Sequence, residues 1–253
     1  MFDKLLSSIG IGAAKVDTRL AKKSYIVGET IDGEVYIKGG NSEQEIDNIY
    51  LTLMADYEVE VDDRKVRRTV ALEKILLTES FTIGANEEKV MSFQMKIPYE
   101  APATLGRTRL WIQTGLDIKK AIDPKDTDYL EITPHPLVTG FIDAARKLGF
   151  RLHQVDSEKA PSYFKNGLPF VQEFEFKPIS GEFARRLDEL EAVFQLTENK
   201  ARVLLQIDRR ARGFSSFLAE SLNMDESFVE FSYTKSEIGT LDRTLGDIIR
   251  NHC

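Results

Sequence analysis

Phe93-Gln94-Met95-Lys96-Ile97-Pro98 opens the most legible stretch of the chain, which runs on to Asp128. Phe93, Met95 and Ile97 alternate with Gln94 and Lys96, the period of a strand with one buried face. Pro98 cannot donate to a ladder and stops it. Ala101-Pro102-Ala103-Thr104-Leu105-Gly106 reads as a turn, and Arg107 to Leu116 as a second strand carrying the only tryptophan, Trp111. The expectation is a buried hairpin. Asp117-Ile118-Lys119-Lys120 then leads into Asp123-Pro124-Lys125-Asp126-Thr127-Asp128, a polar, proline-broken segment that reads as a linker or hinge.

Outward from this stretch the strand signals continue. Val16 to Leu20, Thr30 to Ile37 and Ile46 to Val61 read as strands, broken at Gly28-Glu29 and Gly39-Gly40-Asn41. A hairpin spans Val59 to Val70 and turns at Asp62-Asp63. It sets Arg64, Lys65, Arg67 and Arg68 across from Glu58, Glu60, Asp62 and Asp63, a pattern of opposite cross-strand charges. No long helix interrupts this half, which argues for a sandwich and against a parallel βαβ sheet. Tyr129 to Thr133 reads as a last strand, and Pro134 and Pro136 mark the crossing to a second domain.

Leu137, Val138, Phe141, Ile142, Ala145 and Leu148 form a helical stripe that Gly149 ends. Strands resume at Phe150 to Val155, with a tight turn at Asn166-Gly167. Pro169 to Phe176 puts Phe170, Phe174 and Phe176 on one face. Leu190 to Leu196 and Val203 to Ile207 make a hairpin, and Phe228 to Tyr233 a further strand. Phe214 to Leu222 reads as a short helix. Ile238, Leu241, Leu245, Ile248 and Ile249 define a closing amphipathic helix with Ser236 at its N-cap. Phe2, Leu5, Leu6 and Ile9 give residues 2–9 one apolar helical face, suited to packing on the domain or to docking on a membrane or partner.

These residues also carry a resemblance. Phe93 to Pro98, Ala101-Pro102, Leu105-Gly106 and Arg109 to Asp117, with Tyr25-Ile26-Val27-Gly28-Glu29 and Gly33 to Val35 upstream, resemble the middle and opening of an arrestin-type β-sandwich. Within that superfamily the chain is most similar to the bacterial sporulation-control proteins of the stage-zero M type. Ile9 to Val16, Thr114 to Ile118, Ala121 to Asp126, Pro134-His135-Pro136 and Leu168 to Phe176 carry the match in order over nearly the full length. The resemblance implies a mainly β fold of two arrestin-like antiparallel sandwiches joined by a hinge, with a few short helices. The expected domains are 1–134 and 135–253.

The chain has 253 residues, 42% of them hydrophobic and 30% charged, which suits a globular protein with a real core. With 34 Lys and Arg against 41 Asp and Glu the net charge is −7, which disfavours binding to phosphate backbones. The single cysteine, Cys253, permits no intrachain disulfide. No apolar run approaches the roughly 20 residues of a membrane span, and no signal-peptide pattern is present. The expected location is the cytoplasm.

Catalytic signatures do not emerge. His135, His153 and His252 stand in separate contexts without zinc spacing. Asp123, Asp126 and Asp128 fail the calcium-loop pattern, which would place Pro134 at its glutamate position. No nucleophile elbow or phosphate-binding glycine loop appears. The expectation is therefore no enzyme and no cofactor or metal. The expectation is an adaptor or regulator that binds protein partners, and the resemblance implies a role in sporulation control, with a homodimer through a strand edge left open. Candidate interaction residues are Asp117, Lys119, Lys120, Asp123 and Asp126 in the linker and the basic cluster Arg209, Arg210 and Arg212, suited to acidic or phosphorylated segments. The alternatives are a peripheral membrane adaptor using residues 2–9, and an enzyme whose clustered carboxylates have raised pKa values in a deep pocket.

Overall fold

A computed structural model describes residues 13–62, 64–118, 125–160, 167–208 and 228–252, with the backbone alone at 116–118. The fold is mainly β and antiparallel, as expected. The expected helices at 2–9 and 214–222 lie outside the described residues. Two compact units share the chain. The first takes 1–55, 69–98 and 109–132, and the second takes 56–68, 99–108 and 133–253.

In the first unit, β1 (Lys15–Leu20), β3 (Thr30–Lys38) and β7 (Glu88–Lys96) form a three-stranded antiparallel sheet in the order β1-β3-β7. β4 (Gln44–Val61) pairs through its first half with β8 (Leu110–Ile118), and β8 pairs with β9 (Lys125–Thr133). Alternation decides which side is buried: Ile31, Val35, Ile37, Phe93 and Met95 on one sheet, Leu51, Leu53, Leu110 and Ile112 on the other, each at most 5% exposed.

Two readings are corrected here. Strand β7 pairs with β3 whereas β8 pairs with β4 and β9, so the stretch from Phe93 to Leu116 crosses between sheets and is no hairpin. Trp111 is not buried with its neighbours: Leu110 and Ile112 point inward, and Trp111 pairs with Tyr129, ring centroids 5.8 Å apart, where Tyr129 is exposed. The supposed linker is likewise strand from Lys125 onward, with Asp126 opposite Thr114 and Asp128 opposite Ile112. Local composition hid it, because cross-strand bonds to β8 supply what a polar sequence does not advertise.

The second unit is built on a sheet of β10 (Phe150–Lys159), β11 (Phe170–Pro178), β12 (Glu189–Leu196), β13 (Lys200–Asp208) and β14 (Phe228–Thr234), all antiparallel neighbours. One face is apolar: Phe174, Phe176, Leu190, Ala192, Val203, Leu205 and Tyr233 join one core cluster. Helix α1 (Pro136–Lys147) contributes Leu137, Val138, Phe141, Ala144 and Ala145 to that cluster. His135 Nδ1 accepts from the Leu137 N–H at 3.3 Å, Pro136 occupies the first turn, and Gly149 at φ 92° allows the exit. A Cβ at Gly149 would lie 2.1 Å from the Ser180 carbonyl oxygen, so only glycine fits.

A 3-10 turn (Lys235–Thr240) leads into α2 (Leu241–His252), whose Leu241, Leu245 and Ile249 are buried. The expected N-cap, Ser236, is displaced by Thr234: Glu237 accepts from the Thr234 backbone N–H at 2.8 Å and from its hydroxyl at 2.6 Å. Ser236 only shares a hydroxyl hydrogen bond with Thr234. We expect Glu237→Ala to cost about 1 kcal/mol in urea denaturation, a typical capping loss, and Arg243→Ala on the same segment to cost less than half of that.

Candidate functional site

Two surfaces gather chemistry, one on each unit. On the first unit, β1, β3 and β7 form an open concavity of about 750 Å³ lined by Arg19, Asp32, Gly33, Glu34, Tyr36 and Gln94 among others. These side chains are outward neighbours on adjacent strands, which is why an alternating sequence brings them together. The Arg19 guanidinium lies 4.0 Å from the centre of the Tyr36 ring and pairs with Asp17 at 2.9 Å. Tyr36 donates its hydroxyl to Glu34 at 2.6 Å, which raises the phenol pKa, and Gln94 donates to Asp32 at 2.7 Å. The surface is thus an aromatic and a guanidinium held in place by carboxylates.

On the second unit the face opposite the helices is lined with carboxylates. Register places Asp156 beside Glu173, Glu175 beside Glu191, Glu191 beside Gln206 and Glu189 beside Asp208. Lys177 bridges Glu175 and Glu189. Burial first, then Glu189, Glu175 and Asp208, push the Glu191 carboxyl up to about 8, with Lys177 opposing. Glu173 is driven well above the ordinary range by burial and then by Glu191 and Glu158. At the edge of the same face Arg107 reaches Glu58 at 3.4 Å and Asp156 at 3.9 Å, and Lys65 reaches Glu58 at 3.6 Å and Glu158 at 3.2 Å. The charged hairpin read from the sequence therefore pairs Lys65 with Glu58, as drawn, and also with Glu158 on β10. Arg67 pairs with Asp56 at 3.5 Å.

Of the sequence-derived interaction residues, only Asp126 has a described side chain. Lys119, Lys120, Asp123, Arg209, Arg210 and Arg212 lie outside the described residues, as does the side chain of Asp117. Asp126 accepts a hydrogen bond from the buried Thr18 N–H at 2.5 Å and so caps an outer strand. Its neighbour Asp128 is pushed up to about 6, first by burial and then by the Asp126 carboxylate. We expect Asp126→Ala to cost about 1–3 kcal/mol by orphaning a buried donor, and to return the Asp128 carboxyl towards its ordinary value in an NMR titration. No group of three His, Cys, Asp or Glu is placed to hold a metal among the described residues.

The carboxylate face escaped the sequence reading, although a signal was present. Glu173-x-Glu175-x-Lys177 and Glu189-x-Glu191 alternate with Phe174, Phe176, Leu190 and Ala192, so an acidic face was implied wherever an apolar one was inferred.

The fold and these surfaces can be set beside known proteins. The Spo0M family model, described as SpoOM protein, matches residues 2–211. The chain belongs to the Spo0M family. A curated relative, "Sporulation-control protein spo0M" of Bacillus subtilis, is 42% identical over 237 residues, covering 94% of this chain and 92% of that protein. The crystal structure of Spo0M, sporulation control protein, from Bacillus subtilis matches with a TM-score of 0.90 at 39% identity, covering 96% of this chain and all of that one. Membership in the Spo0M family is what the motifs from Ile9 to Phe176 implied.

Proposed function

We propose that this chain is a non-catalytic regulator of the sporulation-control type that binds other proteins in the cytoplasm, using the concave face of β1, β3 and β7. The sporulation-control role that its Bacillus subtilis relative is named for supports the regulatory half. The observation that carries the binding half is the pre-positioned Arg19–Tyr36 stack flanked by Glu34, Asp32 and Gln94 in an open concavity. Tyrosine and arginine dominate protein interfaces, and holding them in one rotamer reduces the ordering cost of association.

The enzyme reading keeps one point in its favour, the raised carboxyls of Glu173 and Glu191. Those groups stand on the second unit, whereas the concavity is lined by residues of the first. Among the described residues no helix is long and apolar enough to cross a membrane. The membrane-docking reading rested on residues 2–9, which lie outside the described residues.

The test is complementation of a Bacillus subtilis strain lacking spo0M, with photo-crosslinking from position Gln94. The unmodified chain should restore sporulation control, and a folded Tyr36→Ala/Gln94→Lys variant should not. The crosslinker should trap a defined protein in the complementing strain. Full complementation by the folded variant would remove the concave face from the proposal.

A further inference from the structure

We propose that the carboxylate face of the second unit is a docking site for an arginine- or lysine-bearing segment of a partner protein. This deepens the protein-binding reading and rests on it. Three acceptors carry the inference. Glu173 Oε2, Glu191 Oε2 and Gln206 Oε1 are shielded from solvent and have no hydrogen-bond donor among the described residues. They sit on three consecutive strands, β11, β12 and β13, with Glu191 directly opposite Gln206. A buried acceptor without a donor costs free energy, so neighbouring orphans on one face ask for donors from outside.

The chemistry of the occupant follows. Among the described residues the cations on this face are already engaged: Lys177 with Glu175 and Glu189, Lys65 and Arg107 with Glu58 and its neighbours, and Arg202 with Glu230. The negative sign rejects phosphates and acidic peptides. The oxygens are spread along a ladder and do not converge as metal ligands. A guanidinium or ammonium fits, because it brings several donors and no acceptor. The same face carries buried Val171 and Val193 with Leu204 and Phe228 packed against them. The segment should therefore place an apolar residue beside its cation.

Fluorescence anisotropy with the full chain tests this, using a short labelled peptide that alternates arginine and leucine. A peptide with glutamate in place of arginine is the control. The arginine peptide should bind and weaken with salt, and the control should not. Glu173→Gln/Glu191→Gln keeps the shape and removes the ionisable groups. Above pH 8, where the Glu191 carboxyl is ionised, it should bind about tenfold or more weakly, a difference of about 1.4 kcal/mol, with an unchanged circular dichroism spectrum. Affinity of the unmodified chain should also rise as pH climbs through the alkaline range, and the double variant should lose that dependence. Equal binding by the double variant, or no binding by the unmodified chain, would overturn the proposal. So would binding that emerges only in Arg209→Ala/Arg210→Ala/Arg212→Ala, which would give the face to this chain's own arginines. The sporulation assay with Tyr36 and Gln94 variants reads the other surface, so either reading can fail alone.

Discussion

Phe141→Ala should lower the unfolding free energy of the protein by about 3–5 kcal/mol, the usual cost of emptying a buried aromatic site. Phe141 is fully buried and meets Phe194 at 5.2 Å, Phe176 at 5.7 Å and Phe231 at 6.5 Å between ring centroids. It is the point where α1 seats on the apolar face of β11, β12 and β14, so the surrounding strands cannot collapse into the void without breaking their ladders. Phe141→Leu, which keeps most of the volume, should cost less than half as much. Urea denaturation followed by circular dichroism gives both numbers. A loss under about 1 kcal/mol for the alanine variant would contradict the packing described.

The second large effect concerns pH. Glu191 keeps its proton in the native state up to about pH 8, whereas an unfolded glutamate releases it near pH 4.3. Between those values the native state binds more protons than the unfolded state, so this group makes stability fall as pH rises. The contribution is fully present below the unfolded pKa and is gone once pH passes the folded one. The slope approaches about 1.4 kcal/mol per pH unit for one such group, and Glu173 shifts the same way. Glu191→Gln should flatten the decline and stabilise the protein most at pH 8 and above, with little change at pH 4. Lys177, which bridges the neighbouring Glu175 and Glu189 and opposes the shift, limits the size of the effect. Denaturation midpoints measured across this range decide it: parallel curves for the two proteins would sink the assignment.

Alternation told the sequence reading a great deal. Phe93, Met95 and Ile97 are inward as their spacing demands, and the stripe from Leu137 to Leu148 is helix α1. The hairpin of β12 and β13 also stands where Val203, Leu205 and Ile207 put it. Pairing partners were not legible in the same way. Nothing local in Arg107 to Leu116 says that β4 lies beside it, because ladder bonds are made by backbone atoms common to every residue. Lys125 to Asp128 looked like a linker because polar residues and a proline precede a strand whose stability comes from its neighbour. The carboxylate face was hidden for a related reason. Glu173 and Glu191 are apart in sequence, and only register reveals that their environments couple. The Arg19–Tyr36 stack is likewise a cross-strand product of β1 and β3, invisible until the strands are laid side by side.

The interleaving of the two units has a consequence for biosynthesis. Residues 56–68 and 99–108 belong to the second unit, yet they leave the ribosome before the strands they serve. Ala103 exchanges two hydrogen bonds with Gln172, and Glu58 pairs with Glu158 across β4 and β10. These early segments stay without their mates until β10 and β11 have been translated. At bacterial elongation speeds of about 5–20 residues per second, that is a wait of seconds with unmet backbone and charge. A nascent chain of this design is open to holding factors for that interval. A fragment begun at residue 135 would never recover the missing pieces, so genetic dissection into halves would mutilate the second unit.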